Sequence, residues 1–226
     1  MRVFQIEGDW GMDHLKLSTR PEPKAGPGQV VVKMTASSLN YRDLVVPNRG
    51  YGNHTGTLPL IPVSDGVGVV SAIAPGVTRV AVGDRVCHTF FQNWISGEPD
   101  LERLTRSLGG PIDGTMTDYM CLPEEGVTKV PAHLSDLEAA TLPCAALTAW
   151  SALVNCGNIR PGDRVLTLDE QAPEGAHMRL RSCEVTAIFA HAPESVCEVM
   201  LTGGGKFRVT PNHRLLVNGE IGRAHV

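Results

Sequence analysis

The string Gly162-Asp163-Arg164-Val165-Leu166-Thr167-Leu168 limits the fold more than any other stretch of the chain. Glycine and aspartate make a turn, and Arg-Val-Leu-Thr-Leu reads as a strand launched from it. A doubly wound α/β domain would continue with a glycine-rich turn and a helix of about a dozen residues. Here Asp169-Glu170-Gln171-Ala172-Pro173 follows instead. No helix of that length is legible after Gly157, so a doubly wound domain is expected to be largely absent.

The residues before this point read as short strands punctuated by turns. Strands are expected at 29–34 after Gly26-Pro27-Gly28, at 66–73 before Ala74-Pro75-Gly76, and at 85–90 after Val82-Gly83-Asp84. The 24 glycines and 16 prolines of the 226 residues exceed the roughly 12% average share and suit many tight turns. Strands at this spacing predict a closed or nearly closed antiparallel barrel. A short helix is expected over 100–108, stopped by Gly109-Gly110-Pro111.

Ser135-Asp136-Leu137-Glu138 has serine and glutamate at the spacing of a capping box. Pro143 is placed to start a second helix over 144–155, and Gly157 to end it. Leu147, Trp150, Ser151 and Val154 would share one face of that helix, with Thr148 pointing elsewhere. Further strands are expected at 180–191, 196–201 and 207–217, the last interrupted by Pro211. Gly203-Gly204-Gly205-Lys206 would join two of them as a hairpin. The fold class is therefore mainly β with a few helices.

Twenty Lys and Arg against 24 Asp and Glu give a formal charge of −4. That balance offers no field for nucleic acid or an anionic membrane surface. No window approaches the roughly 18 apolar residues of a membrane span, and no secretory signal follows Met1, so a cytoplasmic protein is expected. The six cysteines include no C-x-x-C pair and read as reduced thiols.

Several landmarks occur in order: Asn40-Tyr41-Arg42-Asp43, Pro62-Val63-Ser64-Asp65-Gly66-Val67-Gly68, Gly83-Asp84-Arg85-Val86, Leu142-Pro143-Cys144-Ala145-Ala146-Leu147-Thr148-Ala149-Trp150 and Pro161-Gly162-Asp163. Through these motifs residues 1–168 resemble the zinc-independent medium-chain dehydrogenases, of the alcohol dehydrogenase and quinone oxidoreductase type. The resemblance implies a GroES-like β-barrel lobe over 1–133 and linking helices over 134–161 that lead towards the cofactor domain. In zinc-using relatives a cysteine falls at Asn40, a histidine-glutamate pair at Ser64-Asp65 and a further ligand at Cys144. Asparagine and serine are poor zinc ligands, and the closely spaced cysteines of a structural zinc segment are missing between Phe91 and Gly110. No metal is expected.

The resemblance further implies an oxidoreductase that uses NADP or NAD to reduce a small carbonyl or quinone. Without a metal, the developing oxyanion needs side-chain donors. By resemblance Asn40 and Tyr41 line the catalytic cleft, Asn40 and Thr148 meet the cofactor, and Asp43 braces the loop. The pyrophosphate of such a cofactor rests on a glycine-rich turn at a helix N-terminus. Asp169-Glu170 would repel it, so weak or no independent activity is expected. Apolar surface left uncovered by the missing sheet would favour homo-oligomers.

Residues 162–226 resemble a Hint segment, the fold of inteins and hedgehog-type autoprocessing domains, through Thr210-Pro211-Asn212-His213 and the preceding Cys183-Glu184-Val185-Thr186-Ala187-Ile188. The resemblance makes Thr210 and His213 catalytic candidates that polarise a scissile peptide bond. Cys144 and Cys156 lie too close to Pro161 to be the nucleophile of such a domain, and no His-Asn pair follows. The string 160–168 would suit either family, and the chain reads as a chimera joined within it.

Overall fold

The computed structural model describes residues 1–92, 94–168, 180–190, 197–201 and 206–209. The chain divides into two compact units, 1–144 and 145–226. Thr210, Pro211 and His213 lie outside the described residues, as do the hairpin glycines 203–205 and the junction residues 169–173.

The first unit opens with an antiparallel hairpin, β1 (Arg2–Ile6) and β2 (Leu15–Thr19), with Ile6 opposite Leu15. Its main body is a five-stranded antiparallel sheet of β3 (Gln29–Ser38), β4 (Asp65–Ile73), β5 (Arg85–His88), β6 (Tyr119–Pro123) and β7 (Val127–Lys129). The spatial order is β6-β3-β4-β5-β7, so β6 and β7 are its two edges. Yet only Glu124–Gly126 separates them in sequence. A link of that length spans about 14 Å at full stretch, whereas four strand spacings in a flat sheet need about 19 Å. The sheet must curl to bring its edges together, and this curl is the expected barrel.

Alternation along the strands fills the inside of the curl. Val30 and Val32 from β3, Val70 from β4, Val86 from β5, Met120 and Leu122 from β6, and Val127 from β7 form one buried cluster with Leu108. A smaller cluster of Ile6, Val46 and Leu60 fixes the first hairpin, and Ile6 and Leu60 exchange both main-chain hydrogen bonds, at 2.8 and 3.0 Å.

Three expected elements differ in extent. β3 continues four residues past 34, whereas β5 stops at His88. The helix expected over 100–108 is confined to α2 (Leu101–Leu104). Ser107 bridges Phe91 and Leu108 bridges Ile112, so sheet-type pairing takes the chain that helix propensity would have continued. A one-turn helix, α1 (Arg42–Val45), follows the Asn40 loop.

α3 (Asp136–Ala140) begins with the expected capping box, both halves formed: the Ser135 hydroxyl accepts from the Glu138 main chain and the Glu138 carboxylate accepts from the Ser135 main chain. The helix expected over 144–155 is not one α-helix. It runs as a π-helical stretch Leu142–Ala146, then α4 (Leu147–Trp150), then a second π-helical stretch Ser151–Cys156 that ends at Gly157. Trp150 is buried as read, but the fully buried side chain of this segment is Leu153.

In the second unit β8 (Arg164–Leu168), β9 (Leu180–Ala190), β10 (Cys197–Leu201) and β11 (Lys206–Val209) form a sheet in sequence order. Every pairing is antiparallel. The Pro161-Gly162-Asp163 turn is locked to β9, since Gly162 donates to the Val185 carbonyl and Val185 donates to the Asp163 carbonyl, each at 2.7 Å. Val165, Cys183 and Val185 are buried. Among the described residues no helix is long and apolar enough to cross a membrane.

Candidate functional site

The loop before α1 is organised by Asp43. Its Oδ2 accepts from the Asn40 main-chain N–H at 2.7 Å, and its own N–H donates to the Asn40 carbonyl at 2.9 Å. This is the brace expected of Asp43. Arg42 turns away from the loop: its guanidinium donates to the Leu108 and Gly110 carbonyls at 2.8 and 2.9 Å and lies over the Phe90 ring. It is committed to holding the 107–110 turn.

Asp65 enters the same region from the first position of β4 and is 0% exposed. Its Oδ1 accepts from the Ser64 hydroxyl at 3.1 Å and its Oδ2 from the Cys144 main-chain N–H at 3.0 Å. Burial pushes the Asp65 carboxyl above the usual carboxylate range, and the Asp43 charge adds to the rise. The Asn40 amide, the Cys144 N–H and the Ser64 hydroxyl each oppose it. The Asn40 Nδ2 itself is buried and makes no hydrogen bond that meets ordinary geometry. Burial also raises Asp43, whose Oδ1 is likewise buried and unpartnered.

A buried polar knot of Asn40, Asp43, Ser64, Asp65 and the Cys144 main chain thus sits inside the first unit. The side chains beside its loop are apolar and open to solvent: Leu39 is 76% exposed, Tyr41 83% and Leu44 58%. Tyr41 is therefore not packed into the barrel. Thr148 is an exposed residue of α4 in the second unit. Among the described residues no three of His, Cys, Asp and Glu gather at metal-binding distances. Asp65, at the centre of the knot, drew attention in the sequence only as standing, with Ser64, where zinc-using relatives carry a histidine-glutamate pair. The signal it carried was an acidic residue at the head of an apolar strand, Asp-Gly-Val-Gly-Val-Val.

Residues 26–132 match the alcohol dehydrogenase GroES-like domain. The chain carries a medium-chain dehydrogenase/reductase segment. Across this segment it is similar to a zinc-type alcohol dehydrogenase-like protein of Schizosaccharomyces pombe, 40% identical over 161 residues that make up 70% of this chain and 46% of that protein. The solved structure of an NAD-dependent alcohol dehydrogenase matches with a TM-score of 0.63 and 34% identity, over 72% of this chain and 49% of that one. The synaptic vesicle membrane protein VAT-1 homolog of Rattus norvegicus is 31% identical over 210 residues, 90% of this chain and 46% of that protein. Residues 1–168 alone cannot make up that share, so likeness to this relative of the dehydrogenase/reductase segment runs past Leu168. The chain spans about half the length of the curated relatives it matches.

Proposed function

We propose that the first unit is the substrate-binding half of a zinc-free, NAD(P)H-dependent oxidoreductase acting on a small carbonyl compound, a quinone or an enone. The observation that carries this reading is the Asp65 carboxyl, buried with both oxygens occupied by Ser64 and Cys144 donors. A zinc ion, as the names of some relatives imply, does not fit that donor set. An amide at 40 and a hydroxyl at 64 replace soft or imidazole ligands, and each Asp65 oxygen already accepts a hydrogen bond, from the Ser64 hydroxyl and the Cys144 N–H. Oxyanion stabilisation then falls to neutral donors: Tyr41, open on the loop, would be one, with Asn40 beside it as the resemblance implies. The apolar side chains of Leu39 and Leu44 beside them suit an apolar carbonyl substrate and, left uncovered, would also favour self-association.

A nicotinamide nucleotide would supply the hydride, and the resemblance makes Thr148, in the second unit, a residue that would contact it. The described part of the second unit does not fit the usual cradle for its pyrophosphate, which needs a strand in a parallel sheet running into a glycine-rich turn and a helix. β8 pairs antiparallel with β9 instead. This supports weak cofactor binding and little activity in this chain alone. Titration with NADPH, followed by nucleotide fluorescence and then by loss of nicotinamide absorbance on adding a quinone or an enone, tests both parts. Tight binding with turnover would refute the weak-activity reading. No carbonyl binding by any method would refute the substrate-half reading.

The antiparallel order of β8 to β11 also favours a second reading, in which the tail is a Hint-like segment with Thr210 and His213 as its polar pair. Intact mass after prolonged incubation with a thiol distinguishes it, since autoprocessing would yield two fragments.

A further inference from the structure

Val63, the residue before Ser64-Asp65, has φ +73° and is 2% exposed. A β-branched residue enters the left-handed region only when its surroundings impose it. Two glycines do so. A Cβ on Gly109 would lie 2.7 to 2.8 Å from the Val63 carbonyl carbon, nitrogen and oxygen, and one on Gly114 would overlap the Val63 carbonyl oxygen. The backbone of 61–65 is then held at four points from one side. Asp113 Oδ1 accepts from the Ile61 N–H at 2.9 Å, and Gly114 and Thr115 donate to the Ile61 and Val63 carbonyls at 2.7 and 2.8 Å. The Thr115 hydroxyl donates to the Asp65 carbonyl at 3.0 Å.

Thr115 therefore grips the backbone on both sides of Ser64, its N–H on Val63 and its hydroxyl on Asp65. It is 1% exposed, and its own carbonyl accepts from the Ser37 hydroxyl at 3.2 Å, which ties the grip to β3. We infer that Thr115 is a positioning residue for the proposed site: it holds the strained Val63-Ser64-Asp65 turn so that the Asp65 carboxyl meets the Cys144 N–H and the Ser64 hydroxyl. Release of the grip lets Val63 return to an extended conformation, and a change in that one φ redirects the next two side chains. The inference rests on the function proposed above, because it gives the carboxyl a place in that site.

The test is hydrogen exchange of the Cys144 amide in the full chain, with the amides of Val30 and Val32 in the barrel core as internal reference. Thr115→Val keeps the side-chain shape and removes the hydroxyl; Thr115→Ser keeps the hydroxyl. Thr115→Val is expected to speed Cys144 exchange at least tenfold more than it speeds the reference amides, and Thr115→Ser to restore protection to within about threefold. Equal acceleration at all three amides, or no acceleration at Cys144, overturns the inference. If Thr115→Val does not fold, a Ser37→Ala variant, which loosens the same grip from outside, must show the same selective effect or the inference fails. The exchange measurement needs neither nucleotide nor carbonyl compound, so its failure is distinct from failure of the functional reading.

Discussion

Arg85 and Asp136 join the barrel to α3 through a single carboxylate oxygen. Arg85 Nε and Nη2 both donate to Asp136 Oδ1, at 2.9 and 2.6 Å, and Nη2 also donates to the Leu134 carbonyl at 2.8 Å. The Thr35 hydroxyl, then the guanidinium, hold the Asp136 carboxyl below the usual range. About a third of each side chain is exposed, 31% and 37%, so the ion pair alone is worth ~0.5–1 kcal/mol. The Leu134 carbonyl raises the cost of losing Arg85, since an acceptor would be stranded beside a buried residue. Arg85→Ala is expected to cost about 1–2 kcal/mol by urea denaturation, and Asp136→Asn about half of that. Equal costs would mean that the Leu134 contact contributes nothing.

His88 closes β5 with both ring nitrogens buried and unpartnered. Burial pushes its pKa from 6.5 down to about 4, and the Thr89 main chain opposes this only in part. Between these two values the unfolded chain binds a proton that the folded chain does not, so stability falls as pH drops from about 6.5 towards about 4. Each pH unit of displacement corresponds to ~1.4 kcal/mol, which sets an upper bound of roughly 3.5 kcal/mol for this one group. Raised carboxyls at Asp43 and Asp65 act in the opposite sense, favouring the folded state as pH falls near their own range. A His88→Leu variant isolates the histidine. Its stability, measured by denaturation at several pH values, should lack the acid slope that the parent shows between pH 6 and 5. The same slope in both proteins would assign it elsewhere.

The strands and caps that local pattern controls were legible in the chain. Ser135 and Glu138 announce the start of α3 because a capping box needs only residues three apart, and the Val30-Val31-Val32 run marks β3 because one face of it has to be covered. What was not legible depends on distant partners. Nothing in Pro62-Val63-Ser64 signals a left-handed valine; the backbone packed against it imposes that conformation, and comes so close only because Gly109 and Gly114, about 50 residues away in sequence, carry no side chain. The π-helical stretches around α4 share composition with an ordinary helix, so periodicity reads them as one. The Asp65 knot was partly visible, since its members stand at landmark positions, but an acidic residue at the head of an apolar strand does not by itself show that its partners are Ser64 and the distant Cys144 main chain.

Gly114 and Gly83 separate two demands that a sequence cannot tell apart. A Cβ on Gly114 would overlap main-chain oxygens of Pro62 and Val63, whereas one on Gly83, at φ +94°, would meet nothing within 4 Å. Gly83→Ala therefore costs only backbone strain, ~1–2 kcal/mol. Gly114→Ala forces two strands of backbone apart, and backbone cannot move aside as a flexible side chain can. It is expected to cost more than ~3 kcal/mol or to prevent folding. Thermal melts of the two purified variants check this. A Gly114→Ala protein as stable as Gly83→Ala would show that the 61–65 segment is not held against the 109–115 turn.

Asp65 and Ser64 make the sharpest test of how the knot is wired. Both Asp65 oxygens accept hydrogen bonds, one from a hydroxyl that can rotate and one from a main-chain N–H that cannot. In Asp65→Asn the amide oxygen must therefore face Cys144, leaving the NH₂ towards Ser64, whose hydroxyl can turn to accept. Asn at this position also removes a buried charge that stands near Asp43. The single variant is expected to lie within about 1 kcal/mol of the parent. On a Ser64→Ala background the same NH₂ has no acceptor, and Asp65→Asn should then cost a further ~1–3 kcal/mol, the penalty for a stranded buried donor. A double-mutant cycle by chemical denaturation measures this coupling directly. Additive effects would mean that Ser64 and Asp65 do not share the hydrogen bond on which the proposed site is built.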